Sequence, residues 1–185
     1  MIIEFLADGF EEVEALTPLD MLRRAGADIK TVSIKDDKRV TGAHGVTVIA
    51  DEAVSYAENA EDIEAVILPG GMPGAKNLYE CETVLETVKN VLKREDGRAA
   101  AICAAPFILG RLGLLKGKRA TCYPGFEGEL EGAICEKIVS GGTVVTDGQI
   151  TTASGMGVAV PFGAELIRLK YGREKAGEIL RSILY

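Results

Sequence analysis

Short apolar runs of strand length alternate with segments of helical period along most of this 185-residue chain, and that alternation constrains the fold more than any single residue does. IIEFLA (2–7), IKTVSI (29–34), AVILP (65–69) and the AAAI run at 99–102 read as strands, several of them apolar enough to be covered on both faces. Between and after them lie segments whose apolar residues recur at helical spacing: about Glu11 to Ala25, Ala75 to about Lys93, a helix entered at Pro106, and closing helices at about Val158–Leu169 and Glu174–Leu184. A further strand is expected near Ala120. Such alternation implies βαβ units, so one α/β domain over 1–185 is expected, with a mostly parallel sheet between layers of helices. Two segments depart from the rhythm. TVVTDGQITTA (143–153) carries Asp147-Gly148 between two β-rich runs, a hairpin signal, and VTGAHGVTVIAD (40–51) reads as a second antiparallel excursion.

Composition removes several classes of function. With 47% hydrophobic residues the chain can bury a substantial core. Its net charge of -7, with no basic run, argues against binding a nucleic-acid backbone. Cys81, Cys103, Cys122 and Cys135 form no CxxC pair, and the chain has one histidine, so neither a disulfide framework nor a zinc site is expected, and no cofactor is implied. The run at the start carries Glu4 and no basic leader, and no apolar stretch reaches membrane-spanning length, so the expected compartment is the cytoplasm, with reduced thiols.

Three segments carry chemistry. Cys103 ends the 99–102 strand just before the Pro106 helix, the geometry of a nucleophile elbow, where a helix N-terminus favours thiolate over thiol. A small buried core cysteine is the competing reading. In DGFEEVEAL (8–16), Asp8 or Gly9 is placed to cap the first helix, and Glu11 and Glu12 suit its positive end. Glu14 instead shares a face with Pro18, Met21 and Ala25, an apolar stripe on which a carboxyl must find a partner or stay protonated. It either faces Cys103, the pair sharing one negative charge, or bridges Arg23 or Arg24 at the helix edge. ILPGGMPGAKNL (67–78) lacks the spacing of a phosphate loop. It is a plain turn, or it sets the Gly71 amide beside that of Ala104 as an oxyanion hole, with Gly70 allowing close approach.

GFEEVEALTPLDMLRRAG (9–26), VILPGG (66–71), AICAAP (101–106) and TTASGMG (151–157) together resemble the ThiJ/PfpI superfamily, in its DJ-one-like branch, over nearly the whole chain. The resemblance implies a flavodoxin-like three-layer sandwich related to class I glutamine amidotransferases, and a homodimer packed partly through the first helix. It makes Cys103 the reactive elbow cysteine, Glu14 the carboxyl that hydrogen-bonds it, and Gly71 and Ala104, with Gly70, the lining of the pocket. It also brings the segment holding His44 towards a partner subunit's pocket, although an exposed loop histidine is the commoner outcome.

Departures from the family pattern narrow the chemistry. Ala104 stands where peptidase-like members carry histidine, which removes a Cys-His dyad and disfavours a cysteine peptidase. Tyr123 stands where a histidine is frequent and is not a general base near neutral pH, so acid–base work falls to Glu14. Cys122 is a resolving thiol or, more simply, a core residue. The expected activity is a glyoxalase III-like or deglycase reaction on methylglyoxal, other small reactive carbonyls or glycated groups. An oxidative-stress sensor or chaperone acting through Cys103 oxidation is the alternative; a thiamine-precursor role ranks below both.

Overall fold

A computed structural model describes residues 1–136 and 142–185. In chain order its elements are β1 (Ile2–Leu6), α1 (Glu12–Arg24), β2 (Ile29–Ser33), β3 (Arg39–Thr41), β4 (Thr47–Ile49), α2 (Val54–Asn59), β5 (Ala65–Leu68), α3 (Gly74–Glu80), α4 (Glu82–Lys93), β6 (Arg98–Ile102), α5 (Pro106–Arg111), β7 (Arg119–Ala120), β8 (Ile134–Cys135), β9 (Val144–Asp147), β10 (Ile150–Ala153), α6 (Ala159–Tyr171) and α7 (Arg173–Ser182). Six strands form the main sheet in the order β2-β1-β5-β6-β10-β9, parallel throughout except for the β10–β9 hairpin at one edge. Numbered among themselves the parallel strands run 2-1-3-4-5, the flavodoxin-like order.

Strand residues point alternately to the two faces, and the apolar runs therefore supply both layers. Ile3, Phe5, Val66, Leu68, Ala99 and Ala101 face α2 to α5, while Ile2, Ile67, Ala100 and Ile102 face α1, α6 and α7. Phe5 and Phe162 are fully buried, one in each layer, and removing a side chain of that size from water is worth about 2–3 kcal/mol as an upper bound. The sheet order reverses between β1 and β5, and ligands of such sheets gather at the carboxyl ends of the strands there. The loops after β1, β5 and β6 meet at that edge.

Several local expectations change. The helix expected from Ala75 to Lys93 is two helices, broken at Cys81, whose backbone is extended. The buried residues Leu78 and Val84 are six apart, a spacing no single helical stripe accommodates. Glu11, rather than Asp8 or Gly9, caps α1, its Oε2 accepting from the Glu14 N–H at 2.7 Å. Asp8 is drawn off to Lys35 and to the Thr41 amide. The strand at Ala120 pairs with β8 in a separate two-stranded ribbon. The hairpin closes through Gly148 and Gln149, because Asp147 still pairs with Ile150. The 40–51 excursion is an antiparallel pair, β3 with β4, as its pattern implied. Among the described residues no helix is long and apolar enough to cross a membrane.

Candidate active site

Cys103 stands one residue beyond β6 with φ at +63°, in the left-handed region that a side chain rarely occupies. Such a residue costs about 1–3 kcal/mol and persists only where its surroundings hold it. Here the Cys103 N–H donates to Ala153 O at 2.8 Å, and its carbonyl accepts from the Tyr123 N–H at 2.8 Å. The chain then turns through Ala104 and Ala105 into α5, with Pro106 in its first turn. The thiol is half-buried, and the result is the elbow that the strand–helix junction predicted.

Glu14 comes to this thiol from α1. It is 1% exposed and shares its buried face with Pro18 and Met21. The alternative of a helix-edge ion pair is removed, since Arg23 pairs with Asp51 and Arg24 with Asp20. The carboxyl lies against the Cys103 thiol, with the Gly70 and Met156 amides beside it. Its Oε2 is buried and lacks a hydrogen bond of ordinary geometry. Gly70 is what permits the approach. A Cβ there would clash with Glu14 Oε2 and lie 2.6 Å from Cys103 Cβ. The next residue, Gly71, has φ at +86°, and its amide and that of Ala104 both act on the sulfur in the sense that favours negative charge. The Gly70 carbonyl accepts from the Glu11 N–H at 3.0 Å, which ties this loop to the start of α1.

Burial, and after it the charge of Glu14, pushes Cys103 up to about 12, against the two amides that favour a thiolate. Burial also lifts Glu14 to about 7, against the opposing pull of its contact with Cys103. Each ionisation opposes the other, so near neutral pH the pair shares at most one negative charge, as the sequence implied. In chemical terms this is a cysteine and a carboxyl that can exchange one proton, facing two backbone N–H donors.

His44 stands apart from the pair. Its ring Nδ1 meets Glu12 Oε2 at 2.8 Å and its N–H donates to Glu12 Oε1 at 2.7 Å, and this partner raises the imidazole pKa. Burial works to raise Glu12, but the His44 bonds outweigh it and hold the carboxyl low. Glu11, Glu12 and His44 bring possible metal-ligand atoms within 4.8 Å of one another. Hydrogen bonding already occupies them, with both Glu12 oxygens on His44 and Glu11 capping α1. Cys122 is buried in the core, as the simpler reading had it. Ala153, Gly155 and Met156 also border the pair, and sequence pattern marks them only through the TTASGMG motif. Its signal was two glycines directly after an apolar strand, where main chain approaches a site.

The sequence profile of the DJ-1/PfpI family matches residues 2–169. Protein DJ-1 homolog B of Arabidopsis thaliana is 39% identical over 94% of this chain and 39% of its own length, so the chain spans about two-fifths of that relative. A deglycase of Pyrococcus abyssi is 31% identical over 88% of this chain and 95% of its own. The structure of oxidised Toxoplasma gondii DJ-1 superposes with a TM-score of 0.92 at 34% identity, covering 100% of this chain and 97% of that one.

Proposed function

Because the chain belongs to the DJ-1/PfpI family and sets a Glu14 carboxyl against the Cys103 thiol, we propose that it is a cofactor-independent enzyme acting on reactive carbonyls. In this reading the substrate is a 2-oxoaldehyde such as methylglyoxal, or an early glycation adduct. Glu14 takes the thiol proton as Sγ attacks the aldehyde carbon, and the oxygen of the resulting hemithioacetal develops charge against the Gly71 and Ala104 amides. Glu14 returns that proton to the hemithioacetal oxygen and, again a carboxylate, carries a proton from the aldehyde carbon to the neighbouring carbon, while the hydroxyl proton passes to the adjacent carbonyl oxygen. That leaves a 2-hydroxyacyl thioester, which water cleaves to the 2-hydroxy acid and free thiol. One water is consumed for each 2-oxoaldehyde, with no net oxidation. The observation that carries the proposal is the buried acid, close to neutral in strength, touching the elbow thiol. The Pyrococcus abyssi relative named as a deglycase supports the same chemistry.

The test measures methylglyoxal loss and lactate formation, in buffer free of Tris and added thiol, for wild type, Cys103→Ser and Glu14→Gln. Both variants are expected to lose turnover; activity surviving both changes removes the mechanism. A second reading, oxidation of Cys103 as a sensor without turnover, is supported by the oxidised state of the Toxoplasma gondii relative. It predicts no lactate but a peroxide-dependent gain of 32 Da at Cys103, roughly two oxygens, as a sulfinate requires. We also propose a homodimer through the α1 side, supported by the exposed apolar side chains of Val13 and Val46, which line one groove beside α1.

A further inference from the structure

We infer that Tyr123 is the specificity residue of the Cys103 site, and that the site prefers carbonyl compounds bearing a flat apolar substituent, received on the exposed tyrosine ring. The inference rests on the carbonyl-enzyme reading above and names its substrate class. Two separate contacts fix Tyr123 at the pair. Its N–H donates to the Cys103 carbonyl at 2.8 Å, which holds its backbone against that of the nucleophile. Its ring approaches from the other side: a Cβ on Gly155 would lie 3.4 Å from Tyr123 Cδ2 and 3.8 Å from Glu14 Oε1. The ring edge and the carboxyl thus flank the same stretch of main chain, each at contact distance from where a side chain at 155 would begin.

The ring is not consumed by packing, since Tyr123 is 51% exposed. Met72 and Met156, also half-exposed, accompany it. Met72 directly follows Gly71, whose amide acts on the sulfur, and Met156 supplies an amide beside Glu14. Three exposed apolar side chains thus belong to residues that touch the reactive pair through backbone or stand next to one that does. Grouped exposed apolar side chains mark binding surfaces, and aromatic faces and thioethers both favour contact with planar π-systems. A methyl substituent leaves that surface wet, whereas a phenyl group covers it.

The test compares initial rates with phenylglyoxal and methylglyoxal for wild type, Tyr123→Ala and Tyr123→Phe. Wild type is expected to favour phenylglyoxal in kcat/KM. Tyr123→Ala is expected to lose about fivefold on phenylglyoxal, chiefly through KM, with less than about twofold change on methylglyoxal, and Tyr123→Phe to restore the preference. A second measurement needs no turnover: the ratio of Cys103 modification rates by N-phenylmaleimide and iodoacetamide, followed by intact mass. The thiol adds across the maleimide double bond with nothing leaving, whereas with iodoacetamide it displaces iodide. Tyr123→Ala should lower that ratio by a similar factor. Cys103-dependent turnover with both ratios unchanged in Tyr123→Ala overturns the inference and leaves the enzyme reading standing. Absence of carbonyl turnover together with a fallen maleimide ratio overturns the enzyme reading and retains the ring as the apolar recognition element. Unchanged ratios without turnover overturn both.

Discussion

Glu14 and Glu4 are both carboxyls that the fold has removed from water, and they differ in almost everything else. Glu14 is in the first turn of α1 at the carboxyl edge of the sheet; Glu4 is in the middle of β1, in register with Thr31 and Ile67, and fully buried. Each has at least one oxygen without a hydrogen-bond partner, and burial is the main reason both are weak acids. Around Glu4 the remaining influences are distant charges, Arg23 lowering and Asp51 raising. Glu14 has a thiol and two amides against it, which return its pKa to about 7. Burial alone makes an acid that stays protonated. A buried acid with an ionisable neighbour and accessible chemistry becomes a proton carrier at physiological pH.

The largest effect that distinguishes the two is kinetic. Iodoacetamide modification of Cys103 should rise with pH through an inflection near 7 as Glu14 ionises and becomes the base. Glu14→Gln should abolish that inflection and lower the rate at pH 7 by about a hundredfold, the low end of general-base contributions. Glu4→Gln should leave the profile in place; an inflection lost there as well would mean that burial, not contact, sets the chemistry.

Next comes stability. Glu14 titrates near 7 in the folded chain, against an ordinary value of 4.5. A raised carboxyl pKa means that the folded state holds the proton more tightly, so the fold loses stability as pH rises from 4.5 through 7, by ~3 kcal/mol above that range. Urea unfolding of Glu14→Gln should therefore show a gain of about that size at pH 8.5 that vanishes at pH 4. A constant difference across pH would place the effect in packing instead. A stability cost tolerated at a reactive site is the usual trade-off.

Most of the layer order and the Cys103 elbow were legible because they depend on near-neighbour patterns: continuous apolar runs, helical stripes, and a proline just after a strand. Glu14 was legible as a conflict between its charge and its face. What pattern could not supply was three-dimensional competition. Whether Glu11 or Asp8 caps α1 depends on Lys35 and Thr41 claiming Asp8. How far Cys103 is held from ionising depends on its own burial and then on the charge of Glu14 beside it. Gly155 and Met156 entered the site through a close approach of main chain, which leaves little trace beyond a glycine.

Glu4 was equally visible in IIEFLA, yet a single carboxylate in an apolar run has no local partner that would reveal its fate. The fold answers that it has none among the described residues, since both its oxygens are unpaired. Glu4→Met keeps the length of the side chain and removes the unpaired polar atoms. It should therefore stabilise the fold by about 1–3 kcal/mol at pH 7, the usual desolvation cost of such a group. The gain should be larger at pH 7 than at pH 4, because above about 4.5 the unfolded carboxyl releases its proton while the folded one, with its pKa raised by burial, still holds it. Thermal unfolding at pH 4 and pH 7, paired with the Cys103 alkylation rate, checks both halves. A more stable protein with an unaltered alkylation rate would show that the sheet's buried acid is a cost of this sequence alone. A slowed Cys103 would show instead that β1 transmits to the elbow, and that the two carboxyls belong to one electrostatic unit.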